Sequence, residues 1–133
     1  MAKRQASVRC LCSELVTVRW QDAFGRRHEV IANLGEIWAE GAVLEFEVPV
    51  RLDSIVRIES SAVELEGRVA RCAADFMGYR VEVAFPEERK WSRERYEPQH
   101  FLDPRDLEKR DNLKRKNHRL LDECVRHLPL HVT

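Results

Sequence analysis

The feature that most limits how this chain can fold is a series of short segments in which apolar and polar residues alternate. A period of two places every second side chain on one face of an extended strand, so each segment is expected to be half buried. Turn residues separate the segments, with glycine at several corners. The predicted strands cover residues 14–20, 27–32, 42–48, 55–59, 62–72 and 79–85.

Six short strands joined by short links favour a small antiparallel barrel, because closure pairs the edges that an open sheet would expose. Gly67 stands in the middle of the fifth segment and predicts a bulge or a tight bend there. The predicted fold is therefore all-β. It consists of a basic N-terminal arm over residues 1–13 and a six-stranded antiparallel barrel over residues 14–86.

Beyond the barrel, charged residues dominate and large apolar residues become rare. Residues 87–103 are predicted to form a charged linker. Asp103-Pro104 is typical of a helix start, with Asp103 as the N-cap and Pro104 in the first helical position. A C-terminal α-helix is therefore predicted over residues 104–128.

The end of this helix carries an apolar stripe that the barrel, a second copy of the chain or a partner protein is expected to cover. The stripe is the predicted surface for a protein partner or for self-association. Its residues are Leu120, Leu121, Cys124, Val125 and Leu128.

The overall charge gives no sign of a polyanionic partner. The 133 residues contain 23 Lys and Arg and 23 Asp and Glu, and this balance predicts neither a nucleic-acid nor a membrane partner. No apolar run is long enough for a membrane span, and no signal peptide is evident, so a cytoplasmic location is expected.

Neither catalysis nor metal binding is predicted. The four cysteines (Cys10, Cys12, Cys72 and Cys124) are expected to be free thiols. Cys10-x-Cys12 resembles one ligand pair of a metal site. A tetrahedral zinc site needs a second pair of ligands, and the remaining Cys and His residues do not form a pair with the usual spacing. No nucleophile motif, phosphate loop or metalloprotease motif is present, so we expect a protein that is not an enzyme and has no cofactor.

Three segments of the chain together resemble a known family. Glu36-Ile37-Trp38-Ala39-Glu40-Gly41 directly precedes the third strand, and Pro49-Val50-Arg51-Leu52-Asp53 links to the fourth. Gly67-Arg68-Val69-Ala70-Arg71, followed by Gly78 to Phe85, is similar to a closing hairpin. Over residues 4–86 these features resemble the PilZ domain, a bacterial six-stranded barrel that in its usual form binds cyclic di-GMP.

The resemblance implies a binding site made from two motifs. In the family motif D/N-x-S-x-x-G, Glu36 stands at the acidic position, Trp38 at the serine and Gly41 at the glycine. The family's upstream R-x-x-x-R pair corresponds here to Arg4 and Arg9, which are one residue further apart. By this resemblance, the two arginines would hold phosphates, Gly41 would permit close approach, and Glu36 or Trp38 would contact the base.

The departures from the motifs determine the expected function. Glu36 and Glu40 bring negative charge towards an anionic ligand, and Trp38 replaces a hydroxyl with a large ring. We expect a non-catalytic signalling or adaptor domain that acts through protein–protein contacts and in which cyclic di-GMP binding is weak or lost. The alternatives are a functional cyclic di-GMP receptor and an RNA-binding small barrel that uses the basic run over residues 109–119.

Overall fold

The computed structural model of the protein describes residues 7–107. Within them the chain forms a closed barrel of six antiparallel strands, which confirms the predicted architecture. Around the barrel the order is β1-β2-β3-β6-β5-β4, and β1 pairs with β4 to close it. The strands are β1 (Cys10–Gln21), β2 (Arg27–Trp38), β3 (Gly41–Phe46), β4 (Ile55–Glu59), β5 (Glu64–Asp75) and β6 (Gly78–Ala84).

The connections fall alternately at the two ends of the barrel because every neighbouring pair of strands is antiparallel. One end, here called the apical end, carries the connections 22–26, 47–54 and 76–77. The opposite, basal end carries the turn 39–40 and the connection 60–63. It also contains the beginning of β1 and the exit of the chain from β6.

The core consists of the inward-facing residues of all six strands, as the period of two predicts. Burial of each large aliphatic side chain stabilises the fold by about 1.5–3 kcal/mol. Fully buried examples are Val18, Leu34, Leu44, Ile58, Val81 and Val83.

The first strand begins at Cys10, four residues before the predicted start at Glu14. Cys10, Cys12 and Glu14 all face inward, and Glu14 is buried although it carries a carboxylate. A charged residue at an inward position hides the alternation, and this is why the sequence pattern places the start too late. The register of β1 on β2 also shifts between Leu11 and Glu14.

Gly67 marks a close approach between strands, while the bulge of β5 lies elsewhere. A Cβ atom at Gly67 would meet the Val83 side chain and would lie 2.8 Å from the carbonyl oxygen of Ala84. The register of β5 on β6 shifts between Val69 and Arg71 instead. The structure therefore shows a close approach at Gly67, and the predicted bulge is wrong in position because it lies a few residues later.

The segment over residues 85–102, here called the strap, crosses the basal end and belongs to the same compact unit as the barrel. The prediction of a charged linker from residue 87 misses this packing. Trp91 and Tyr96 are buried in the barrel core, and Leu102 pairs with Leu11 in an isolated β-bridge. Buried aromatic residues, which include Phe85, therefore anchor a segment that is otherwise rich in charged side chains.

A second unit begins at Asp103, where the chain divides. A helix starts at Pro104, and the Asp103 carboxylate accepts a hydrogen bond of 2.9 Å from the backbone N–H of Arg105. The predicted N-cap is thereby confirmed. The rest of the predicted helix beyond Leu107 lies outside the described residues, and so does the apolar stripe of Leu120, Leu121, Cys124, Val125 and Leu128.

Candidate functional site

The segment that resembles the family motif forms the basal hairpin between β2 and β3. Glu36 and Trp38 lie at the end of β2, and Gly41 opens β3 directly opposite Trp38. A two-residue turn of Ala39 and Glu40 joins the two strands.

The strap holds this turn in place through two backbone hydrogen bonds. The carbonyl of Glu40 accepts a bond of 2.7 Å from the N–H of Phe85, and the carbonyl of Ala39 accepts one of 2.9 Å from the N–H of Trp91. Trp91 is itself anchored, because its indole N–H donates to the carbonyl of Tyr96 at 2.7 Å. The motif turn is therefore part of a packed backbone network.

Trp38 lies on the outer side of β2 and is nevertheless buried. Its neighbour Ile37 points into the core, so Trp38 faces the opposite side of the strand. Only 8% of Trp38 is exposed. A Cβ atom at Gly41 would lie 2.8 Å from Cζ2 of the indole and would meet the carbonyl oxygen of Val83. Position 41 must be glycine here because the indole lies directly against the strand backbone.

Arg9 covers the indole of Trp38. Its guanidinium carbon lies 3.9 Å from the centroid of the Trp38 ring, a cation–π contact. The same guanidinium donates to Glu82 at 2.7 Å. Trp38 is therefore held between the backbone of Gly41 and the guanidinium of Arg9.

The carboxylates around Trp38 all have partners among the described residues. Glu36 accepts a bond of 2.6 Å from Arg80, and Glu40 accepts one of 2.8 Å from the hydroxyl of Ser7. The Arg80–Glu36 and Arg9–Glu82 ion pairs neutralise both guanidinium groups of the cluster. An anionic ligand would have to break at least one of these pairs to reach an arginine.

The structure brings together four of the five predicted site residues. Arg9, Glu36, Trp38 and Gly41 share one patch on the outer wall at the basal end. Arg4 lies outside the described residues.

Two further members of the patch, Arg80 and Glu82, were missed by the sequence analysis. They occupy outward positions of β6, where alternation predicts a solvated surface. The only available signal was the register of β6 beside β3, which sets Glu82 opposite Val43 and Arg80 opposite Glu45.

A second polar cluster joins the barrel to the strap. The buried carboxylate of Glu14 accepts a bond of 2.5 Å from the Tyr96 hydroxyl and one of 2.9 Å from the backbone N–H of Gln99. Burial, reinforced by the bond to Glu14, raises the pKa of Tyr96 well above its ordinary value. The Glu14 carboxylate is satisfied by hydrogen bonds, so the cluster fixes the strap to β1.

The thiols of Cys10 and Cys12 lie in the core and not at a surface site. Cys12 donates to the carbonyl of Leu34 at 3.4 Å, and burial, followed by the charge of Glu14, raises the pKa of its thiol to about 12. Across residues 7–107 no group of three or more His, Cys, Asp or Glu side chains is placed to hold a metal ion.

Comparisons with family models, with curated proteins and with solved structures give no match to this chain. Within the described part of the chain, no helix has both the length and the apolar character needed to cross a bilayer.

Proposed function

We propose that the protein is a non-catalytic, PilZ-like signalling or adaptor domain that acts through protein–protein contacts. In this proposal its own side chains occupy the surface on which the family takes cyclic di-GMP, so binding of that ligand is weak or lost. The observation that carries the proposal is the position of Trp38 between Gly41 and Arg9.

The chemistry of the ligand explains why this arrangement opposes binding. Cyclic di-GMP presents two phosphates and two purine faces, so it needs free guanidinium groups and an open surface for stacking. Here the indole of Trp38 fills the space above Gly41, and Glu82 already holds Arg9. Glu40, whose partner is the hydroxyl of Ser7, adds like charge, and one such contact at about 4 Å costs roughly 4 kcal/mol at an intermediate dielectric.

A calorimetric titration with cyclic di-GMP tests the proposal directly. We expect no saturable heat for the wild-type protein at high micromolar ligand. Trp38→Ser restores the hydroxyl of the family motif and vacates the space above Gly41, while Trp38→Phe keeps a ring there and serves as the matched control. Saturable binding by the wild-type protein, with loss of binding in Arg9→Ala, would overturn the proposal.

The same titration decides the main alternative, a functional cyclic di-GMP receptor. One observation favours that alternative: Arg9 and Gly41, which come from the two implied motifs, lie in the same patch. A receptor would have to move Arg9 away from Trp38 on binding. Binding would then change the fluorescence of Trp38 in parallel with the heat.

The adaptor function predicts a different dependence on the chain. Deleting residues 104–133 should abolish partner capture or self-association. The variants Arg4→Ala and Arg9→Ala should retain whichever of these two activities the wild-type protein shows. The reverse pattern would speak for the nucleotide site and against the adaptor. The basic run at 109–119 lies outside the described residues, and no observation on the barrel favours RNA binding.

A further inference from the structure

The fifth strand carries a stretch of free backbone edge at the apical end of the barrel. β5 has twelve residues, but its neighbour β4 has only five, and their ladder ends where Ile55 pairs with Arg68. The connection into β4 adds two backbone hydrogen bonds at Val69. Further along, residues 71–75 pair only with β6, so their other side, here called the β5 edge, has no neighbouring strand within the described residues.

The first strand has a similar overhang, which the chain itself covers. β1 also has twelve residues, and it pairs with β4 only over residues 17–20. In the basal part of β1 the strap takes the place of β4, through the bridge between Leu11 and Leu102. Within residues 7–107 no segment does the same for the β5 edge, and none of its five residues is buried.

The unpaired backbone groups of the β5 edge belong to Cys72 and Ala74. Asp75 and Gly78 flank a two-residue turn, and residues in that position exchange hydrogen bonds with each other. Because backbone groups of successive residues point to opposite sides of a strand, those of Cys72 and Ala74 point away from β6. Neither residue has a backbone partner there among the described residues, and such groups are a template for another strand.

The charged side chains of the β5 edge are complementary to a second copy of the same edge. Cys72 packs against the core, so Arg71, Ala73 and Asp75 share the outer face of the strand. Arg71 and Asp75 are exposed, and neither forms an ion pair within the described residues. When two identical edges run antiparallel about Ala73, Arg71 of each copy lies opposite Asp75 of the other. Opposite charges in such cross-strand positions attract each other.

We propose that two copies of this chain pair antiparallel through the β5 edge. The N–H and C=O groups of Cys72 bond to the C=O and N–H groups of Ala74 in the other copy, and the two-fold axis repeats these bonds. The sheet then continues from one barrel into the other in the order β6-β5-β5-β6. Because the contact involves only five residues of each copy, the dimer is weak and depends on protein concentration.

The two charges favour a second copy over a strand of unrelated sequence. Backbone hydrogen bonds carry no sequence information, so any extended strand could meet Cys72 and Ala74. An unrelated strand satisfies both Arg71 and Asp75 only when it carries an acidic and a basic residue four positions apart in the matching order. A second copy of this chain supplies that order by symmetry.

Disulfide trapping of the full-length chain tests the geometry of this contact. In the proposed register the two copies of residue 73 face each other without mutual hydrogen bonds. Their Cα atoms then lie about 4.5 Å apart, which is within the range of a disulfide. Ala73→Cys in a Cys72→Ala/Cys124→Ala background should therefore form a covalent dimer on oxidation, and dithiothreitol should reverse it.

The background leaves only Cys10 and Cys12 as other thiols, and both are buried. Ala84→Cys in the same background is the matched control, because Ala84 is exposed at the basal end of β6. This control should remain monomeric after oxidation. Absence of a dimer in Ala73→Cys, or an equal yield of dimer in both variants, would overturn the proposal and leave the edge to a strand of another protein.

Charge reversal distinguishes this contact from self-association through the predicted C-terminal stripe. Arg71→Glu sets like charges against Asp75 at both ends of the contact, so sedimentation equilibrium should show dimerisation weakened on the order of tenfold or more. Arg71→Lys keeps the charge and should dimerise as the wild-type protein does. Equal dimerisation of Arg71→Glu and Arg71→Lys, as a contact through the stripe predicts, or a wild-type protein that stays monomeric at millimolar concentration, would contradict pairing through the β5 edge.

Discussion

The guanidinium of Arg9 lies over the indole of Trp38, with its central carbon 3.9 Å from the ring centroid. By the family resemblance, Arg9 would contact the phosphates of a bound nucleotide, and Trp38 or Glu36 would contact its base. In the structure Arg9 and Trp38 contact each other instead, and the indole occupies the space that the glycine leaves open. This intramolecular contact is the physical basis for proposing that the ligand has been replaced by the protein's own side chains.

Replacing Arg9 with alanine should expose one face of the Trp38 indole. We expect the free energy of unfolding to fall by about 1 kcal/mol, because the cation–π contact and the half-exposed ion pair with Glu82 are lost together. Tryptophan emission should shift to longer wavelength as water reaches the ring. Urea denaturation and fluorescence spectra measure both effects. Arg19→Ala, which removes two ion pairs and no ring contact, should leave the emission unchanged; a similar shift in both variants would contradict the assignment.

Gly41→Ala should destabilise the barrel by about 1–3 kcal/mol, the usual range for overpacking. The added carbon would meet the Val83 carbonyl and lie 2.8 Å from the Trp38 ring, neither of which can move freely. The matched control is Gly35→Ala on the neighbouring strand β2, where the nearest atom belongs to the flexible side chain of Glu45 at 2.8 Å. Urea denaturation of both variants should separate them clearly, and equal stabilities would argue against the packing of Trp38 on Gly41.

The barrel could be predicted from sequence because closure depends on a repeated pattern that single exceptions do not erase. Alternation is clear in β1 and β4, although β3 buries four consecutive residues at its start. Strand β4 matches its predicted range of 55–59 without change. The start of β1 was placed too late because Glu14 faces inward, and its partners, Tyr96 and Gln99, are more than eighty residues away. No local pattern can identify hydrogen-bond partners at that separation.

The strap and the packing of the site were harder to predict for a related reason. Trp91 and Tyr96 stand among charged residues without periodicity, so only the folded barrel shows that they have a core to enter. The membership of Arg9, Trp38 and Gly41 in one site followed from the family resemblance. The motif does not predict the contacts of Trp38 with Arg9 and Gly41. These contacts depend on the tertiary positions of Arg9, Val83 and Glu82.

Tyr96→Phe should loosen the strap from β1. The change deletes the hydroxyl that donates to the buried carboxylate of Glu14 and leaves one of its oxygens unsatisfied, which costs about 1–3 kcal/mol. Chemical denaturation gives the loss in stability, and hydrogen exchange at the amides of Gln99 and Leu102 should quicken. Tyr79→Phe, at a partly buried tyrosine on β6, is the control and should leave exchange in the strap unchanged. Equal exchange rates in the two variants would show that the hydroxyl does not hold the strap.

Cys12 should be unreactive in the folded protein and should make the fold sensitive to alkali. Burial raises the pKa of its thiol from an ordinary 9.0 to about 12, so between these values the unfolded chain releases a proton that the native chain retains. Stability from this group is therefore complete below pH 9 and is progressively lost as the pH rises towards 12.

Native alkylation with iodoacetamide at mildly alkaline pH, followed by peptide mass spectrometry, measures the reactivity of each thiol. Cys72 is only partly buried, so we expect iodoacetamide to modify Cys72 and to leave Cys12 unmodified in the native protein. Both thiols should react in denaturant. The pH dependence follows from urea midpoints measured above pH 9, where Cys12→Ala should flatten the decline seen in the wild-type protein. Equal alkylation of Cys12 and Cys72 under native conditions would contradict the placement of Cys12 in the barrel core.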